Sequence, residues 1–135
     1  MRLELTRRGD YAVRTMLALA TNHPDRLSGR RIAADMGIPV QFVPHVLRDL
    51  ARANLVEGTI GRSGGYRLAR PADRITLLEI VEAAEGDAGQ STCVLRGGPC
   101  GKSGVCAVHD VFAGARASLL ERLAATTLAE VADRD

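Results

Sequence analysis

All three cysteines of the chain fall in one short stretch, Cys93-Val-Leu-Arg-Gly-Gly-Pro-Cys100-Gly-Lys-Ser-Gly-Val-Cys106-Ala-Val-His109. Gly97, Gly98, Gly101 and Gly104 lie between them, so soft ligands and backbone freedom coincide. Three thiols cannot all close into intramolecular disulfides, and the opening Met1-Arg-Leu-Glu-Leu lacks the apolar run of a secretory signal. Both observations point to a reducing, cytoplasmic setting, where clustered cysteines more often hold metal than form bridges. The spacing Cys-x6-Cys-x5-Cys-x2-His offers three thiolates with either His109 or a ligand from elsewhere. Zinc takes a Cys3His set readily, whereas an iron-sulfur cluster takes three thiolates and tolerates a weaker fourth ligand on an exposed, reactive iron. Glycine N–H groups can be aimed at the sulfurs, and Arg96 and Lys102 offset thiolate charge. The spacing leaves zinc and iron-sulfur both open, and the blander alternative is a surface loop with incidental thiols. An enzyme with a cysteine nucleophile is disfavoured, because His109 shares the thiols' segment and no Cys-His-Asp arrangement is suggested.

The rest of the chain must position this loop. At 135 residues it is the size of one ordinary domain, or of a small domain with an oligomerisation element. Hydrophobic content of 46% supplies a core, but aromatics are 3% and Trp is absent, so aliphatic side chains must do the packing. No apolar run approaches the ~20 residues that cross a bilayer, and no helix joins a basic face to bulky aromatics, so membrane function is disfavoured. The net charge of +2 hides an asymmetry: residues 1–75 hold 13 of the 18 basic and 7 of the 16 acidic residues, and the remainder is net acidic. The basic half is almost entirely arginine, whose planar fork suits phosphates and guanine edges. A merely solvated basic surface is the simpler alternative.

In order, Thr6 can cap a helix carrying Val13, Met16, Leu17 and Ala20 at helical spacing, with Asp10 in its first turn and Asn22-His23-Pro24 ending it. Ser28 caps a short helix with Ile32, Ala33 and Met36 inward, closed by Gly37. After a Gly37-Ile-Pro turn, a helix over Val40 to Asn54 places Val43, Val46, Leu47, Leu50 and Ala51 on one face. Pro44 is awkward there unless the helix starts later. The pair makes a helix-turn-helix whose second member suits a major groove. Its polar side offers Gln41, His45, Arg48 and Arg52, with Arg30 on the preceding helix. Leu55 to Leu68 reads as a hairpin around a glycine-rich tip, a wing bearing Arg62 toward phosphate or minor groove. The spacing and Lys-Ser/Thr ending of a P-loop are absent. Thr76-Leu-Leu-Glu79 is a capping box opening a helix with Leu78, Ile80, Val81 and Ala84, stopped by Gly86. Beyond the cysteines, Val108, Val111, Phe112, Ala115, Leu119 and Leu123 stripe a helix of about five turns that a second subunit could cover. Thr127-Leu-Ala-Glu130 opens a short terminal helix.

These residues predict a mainly α fold with a small β-hairpin. Residues 1–75 form a winged helix-turn-helix domain, and residues 76–135 hold a metal-binding loop and dimerisation helices. Leu5-Thr-Arg-Arg-Gly-Asp10-Tyr-Ala-Val, Gly64-Gly-Tyr-Arg-Leu, the cysteine loop and Thr127-Leu-Ala-Glu-Val, in that order, resemble the bacterial winged-helix iron-sulfur transcription regulators typified by IscR and NsrR. The resemblance covers nearly the whole chain and implies a dimeric repressor bound to a double-stranded operator. It also implies an iron-sulfur cluster, 2Fe-2S or 4Fe-4S, on Cys93, Cys100 and Cys106, sensing nitric oxide, redox state or cluster supply. The first helix then contributes to dimer contacts. The first gap is one residue longer than in the cluster-binding form of the family. His109 matches the ligand that completes an IscR-like 2Fe-2S site, and Asp10 matches the carboxylate that completes an NsrR-like 4Fe-4S site across the dimer. The alternative is a cluster-free or zinc-stabilised winged-helix regulator with structural or redox-active thiols.

Overall fold

The first helix, α1 (Arg7–Asn22), is the element on which the others pack. Thr6 caps it by accepting the Gly9 N–H on its side chain, and Ala12, Thr15, Met16 and Leu19 are buried along one face. The structure is a computed structural model that describes residues 1–87, Leu95 and 106–134. α2 (Gly29–Met36) starts on Ser28 and stops at Gly37, whose left-handed φ of 67° a residue with a side chain rarely adopts. A 3₁₀ turn (Val40–Phe42) follows, and only then α3 (Val43–Arg52).

This order corrects the expected helix over Val40 to Asn54. Pro44 stands in the first turn of α3, where its missing N–H has no intrahelical partner to lose, so the regular helix starts at Val43. Val43, Val46, Leu47 and Leu50 face inward as the periodicity predicts, but Ala51 is exposed and Asp49 is buried instead.

β1 (Val56–Thr59) and β2 (Gly65–Leu68) pair antiparallel, with Val56 opposite Leu68 and Thr59 opposite Gly65. Leu27 joins the hairpin through a reciprocal pair of backbone hydrogen bonds with Tyr66, so the wing is fastened to the segment before α2. A side chain at Gly65 would meet the Leu27 carbonyl, and its φ of 127° is outside the ordinary range for one.

α4 (Leu77–Glu85) opens with the complete capping box: Thr76 Oγ accepts from Glu79 N–H while the Glu79 carboxylate accepts from the Thr76 N–H. Ile80, Val81 and Ala84 are buried, and Leu78 is half-buried. α5 (His109–Ala125) packs within the chain mainly on α4, and none of its residues is buried. α6 (Leu128–Ala132) returns to the core, where Leu128 is fully buried. Backbone hydrogen bonds from Leu77 N–H to Thr126 and from Leu128 N–H to Ile75 hold it there. Among the described residues one contiguous core runs from Ala12 to Leu128. Among the described residues, no helix is long and apolar enough to cross a membrane.

Candidate functional site

Burying Val43, Val46, Leu47 and Leu50 against α1 and α2 turns the opposite side of α3 outward. His45, Arg48 and Arg52 lie on that side, all exposed, with Gln41 in the preceding 3₁₀ turn and Arg30 on α2 also exposed. The helix thus presents an imidazole and two guanidinium groups without any apolar surface having to leave the core. Arg62 is exposed at the wing tip, beside Ser63 and Gly64. It lines an open cleft of about 580 Å³ together with Arg26 and Arg31. Arg31 is also bonded to Asp35 one turn along α2.

A second groove, of about 430 Å³, runs between the start of α1 and α3. Arg7 and Arg8 contribute from α1, and His45, Arg48 and Arg52 from α3. Tyr11 and Phe42 also line it, with ring centroids 5.9 Å apart. Asp49 stands among these bases, its side chain 7% exposed, bonded to Arg8 and within 4.0 Å of Arg52. Sequence reasoning misses Arg7, Arg8 and Asp49. The only available signal is an acid on the apolar stripe of α3, and helical periodicity does not say which distant base answers it.

The cysteine loop is described at its ends. Cys93 and Cys100, like Arg96 and Lys102, lie outside the described residues. Cys106 carries a partly exposed thiol, and the His109 N–H donates to the Cys106 carbonyl at 3.0 Å. That tight turn puts the last thiol and the imidazole at the entry of α5. A thiol and an imidazole are suitable donors for zinc or iron, so what is described of the loop fits a soft-metal site. Asp10 is in the first turn of α1, partly exposed, and its Oδ1 accepts from Arg14 Nε at 2.9 Å. Among the described residues no three of His, Cys, Asp and Glu are gathered closely enough to hold a metal ion, so Asp10, Cys106 and His109 do not form such a group within one chain.

The loop departs from the C-terminal end of α4, and that end is itself tied to α1. Glu85 Oε2 accepts from the Thr6 N–H and from Thr6 Oγ, each at 2.6 Å. Below it in α4, Glu79 accepts from the Thr76 N–H and from Arg70, both at 2.9 Å. Burial raises the Glu79 pKa, and these hydrogen bonds with the Arg70 charge outweigh it, so the carboxyl titrates below its ordinary 4.5.

A basic recognition helix braced by two others, with an arginine-tipped hairpin alongside, defines a winged helix-turn-helix DNA-binding protein. The chain belongs to the Rrf2 family, described as iron-dependent transcriptional regulators, whose profile matches residues 5–134. It is 34% identical over 131 residues to the HTH-type transcriptional regulator Rv1287 of Mycobacterium tuberculosis, covering 96% of this chain and 81% of that one. Among solved structures, CymR (YrzC), the global cysteine regulator of B. subtilis, superposes with a TM-score of 0.86 at 24% identity, over 99% of each chain. T. potens IscR superposes with a TM-score of 0.79 at 25% identity, covering 98% of this chain and 88% of that one. The protein is therefore a DNA-binding transcriptional regulator, a non-enzymatic role that its named relatives share.

Proposed function

We propose that this regulator is a cytoplasmic homodimer, acting as a repressor, whose operator binding is controlled by an iron-sulfur cluster on Cys93, Cys100 and Cys106. Asp10 or His109 supplies the fourth ligand. The observation that carries the reading is where the thiol loop is inserted. One end leaves Glu85, which grips the first turn of α1; the other passes through Cys106 and His109 into α5. The loop thus joins the helix that braces the DNA-reading unit to the helix left uncovered for a partner.

Each side of the reading has a physical basis. Val111 is 73% exposed and Phe112 38% exposed on α5, and pairing with the same helix of a second copy would remove that apolar surface from water. A two-fold dimer would carry two copies of α3 to successive major grooves. His45, Arg48 and Arg52 would meet base edges and phosphates there, with Arg62 beside them on the wing. When bound, the cluster supplies an iron whose oxygen or nitrogen ligand is weaker than thiolate, and hence a position open to nitric oxide or oxygen. Within the chain, the residues that would answer a change in the loop are Glu85 and Thr6 at one end and His109 at the other.

The test is the absorption spectrum of anaerobically purified protein, with its iron and acid-labile sulfide content and its operator affinity before and after nitric oxide. A brown protein whose operator affinity changes on nitric oxide addition is the expected outcome. An altered spectrum in Asp10→Ala alone identifies the carboxylate as ligand, and in His109→Ala alone the imidazole. A colourless protein containing zinc, or no metal at all, would instead establish the cluster-free alternative.

A further inference from the structure

Asp49 is out of place by charge, an acid on the element that turns His45, Arg48 and Arg52 outward. Burying a lone carboxylate is costly, so its partners account for its presence. Oδ2 accepts from Arg8 Nη2 at 2.5 Å, and Oδ1 stands 4.0 Å from Arg52 Nη1. The burial is one-sided. The Asp49 side chain is 7% exposed, while those of Arg8 and Arg52 are 65% and 73% exposed, so the acid is sheltered and both bases face the groove. Arg8 comes from α1, 41 residues earlier in the chain, so the pair fixes the start of α1 to the recognition helix.

We propose that Asp49 is a positioning residue for operator recognition, holding the Arg8 guanidinium by a hydrogen bond and drawing that of Arg52 beside it by charge, as a phosphate clamp beside α3. This rests on the DNA-binding role and adds α1 to the DNA-contacting surface. An unrestrained arginine keeps its rotamer freedom and meets whatever phosphate is near. One arginine hydrogen-bonded to the carboxylate, with a second drawn beside it by charge, favours a phosphate where the duplex lies in one register, and register is what phosphate contacts contribute to specificity. Removing Asp49 therefore has two opposed effects. The added positive charge tightens binding to any duplex, whereas the loss of anchoring weakens the preferred register.

The experiment uses the full chain, prepared anaerobically. A duplex that the wild type selects from a randomised pool is compared with a scrambled duplex of equal length, each titrated over a range of salt. Asp49→Asn is expected to tighten the scrambled duplex and to lower the selected-to-scrambled affinity ratio about tenfold, with Asp49→Glu recovering most of it. Arg8→Lys keeps the charge and the ion pair but loses the fork, so it folds if Asp49→Asn does not, and it is expected to lower the same ratio. Arg8→Gln should reduce the salt slope on the selected duplex by about one. The proposal is overturned if Asp49→Asn tightens both duplexes equally, or if Arg8→Lys leaves the ratio at the wild-type value. A wild type that selects no duplex removes the DNA-binding role itself, which separates that failure from this one.

Discussion

Glu85 Oε2 and Thr6 are 79 residues apart in sequence, yet the carboxylate accepts both the backbone N–H and the hydroxyl of Thr6 at 2.6 Å. A negative charge at a helix start is favoured by the unpaired N–H groups and the helix dipole, and here that charge comes from the last residue of α4. A Cβ at Gly9 would overlap Glu85 Oε2, the end of an exposed side chain that would have to swing aside.

That geometry works against an ordinary rule. Gly to Ala inside a helix normally stabilises by roughly 0.5–1 kcal/mol. Gly9→Ala is expected to forfeit that gain, because the exposed Glu85 side chain swings aside and loses its hydrogen bonds to Thr6, worth about 0.5–1 kcal/mol net at such a site. In a Glu85→Ala background the same substitution should become stabilising. Urea unfolding of the two singles and the double closes the cycle; additive effects would refute the coupling.

Arg62 and Arg48 should differ in the part of the duplex each one reads. Arg62→Ala at the wing tip is expected to weaken binding to all duplexes and to lower the salt slope by about one, as removal of a phosphate-binding cation does. Arg48→Ala, on the face of α3 presented to the groove, is expected to cost about 1–3 kcal/mol against a preferred sequence and to relax selection at one position. Fluorescence anisotropy on duplexes bearing single base changes distinguishes them.

The uncovered face of α5 predicts an assembly. Phe112→Glu places a charge where Val111 and Phe112 are exposed, and so should leave the monomer's core intact. Sedimentation is expected to show a dimer for the wild type and a monomer for the variant, with unchanged helical circular dichroism. Operator affinity should fall once the second recognition helix is no longer tethered to the first. A variant that remains dimeric places the interface elsewhere.

Glu79 gives a pH prediction with a definite sign. Its folded pKa lies below the ordinary 4.5, since burial raises it less than the Thr76 N–H and Arg70 together lower it. The charged form is therefore favoured by folding, and the stability it contributes is fully present above 4.5 and lost as pH falls through the folded value. Urea midpoints of wild type and Glu79→Gln, followed from about pH 6 down to about pH 3, should converge at the acid end.

Local signals are sufficient for most of the fold. Thr6, Ser28 and Thr76 cap α1, α2 and α4 as their side chains dictate, and Gly37 and Gly86 end two of those helices. These are decisions between residues three or four apart, so the sequence contains both partners. Periodicity misplaces the start of α3 because it runs back through Val40, while the hydrogen-bond pattern that Pro44 permits does not. His45, Arg48, Arg52 and Arg62 are legible as exposed because a polar position on a strongly amphipathic helix, or at a hairpin tip, has nowhere to go but solvent.

The chain by itself therefore determined most of the helices and the hairpin, the basic half, and the gathering of every thiol into one short stretch, because these depend on composition and short spacing. Tertiary structure alone decided that Asp49 is inside and answered by Arg8, and that Glu85 caps a helix 79 residues away. It also decided that Val111 and Phe112 of α5 stay exposed while Leu119 and Leu123 are partly covered. A buried charge, a borrowed cap and an unfilled face are each defined by what packs beside them, and that neighbour is set by how the helices close on one core.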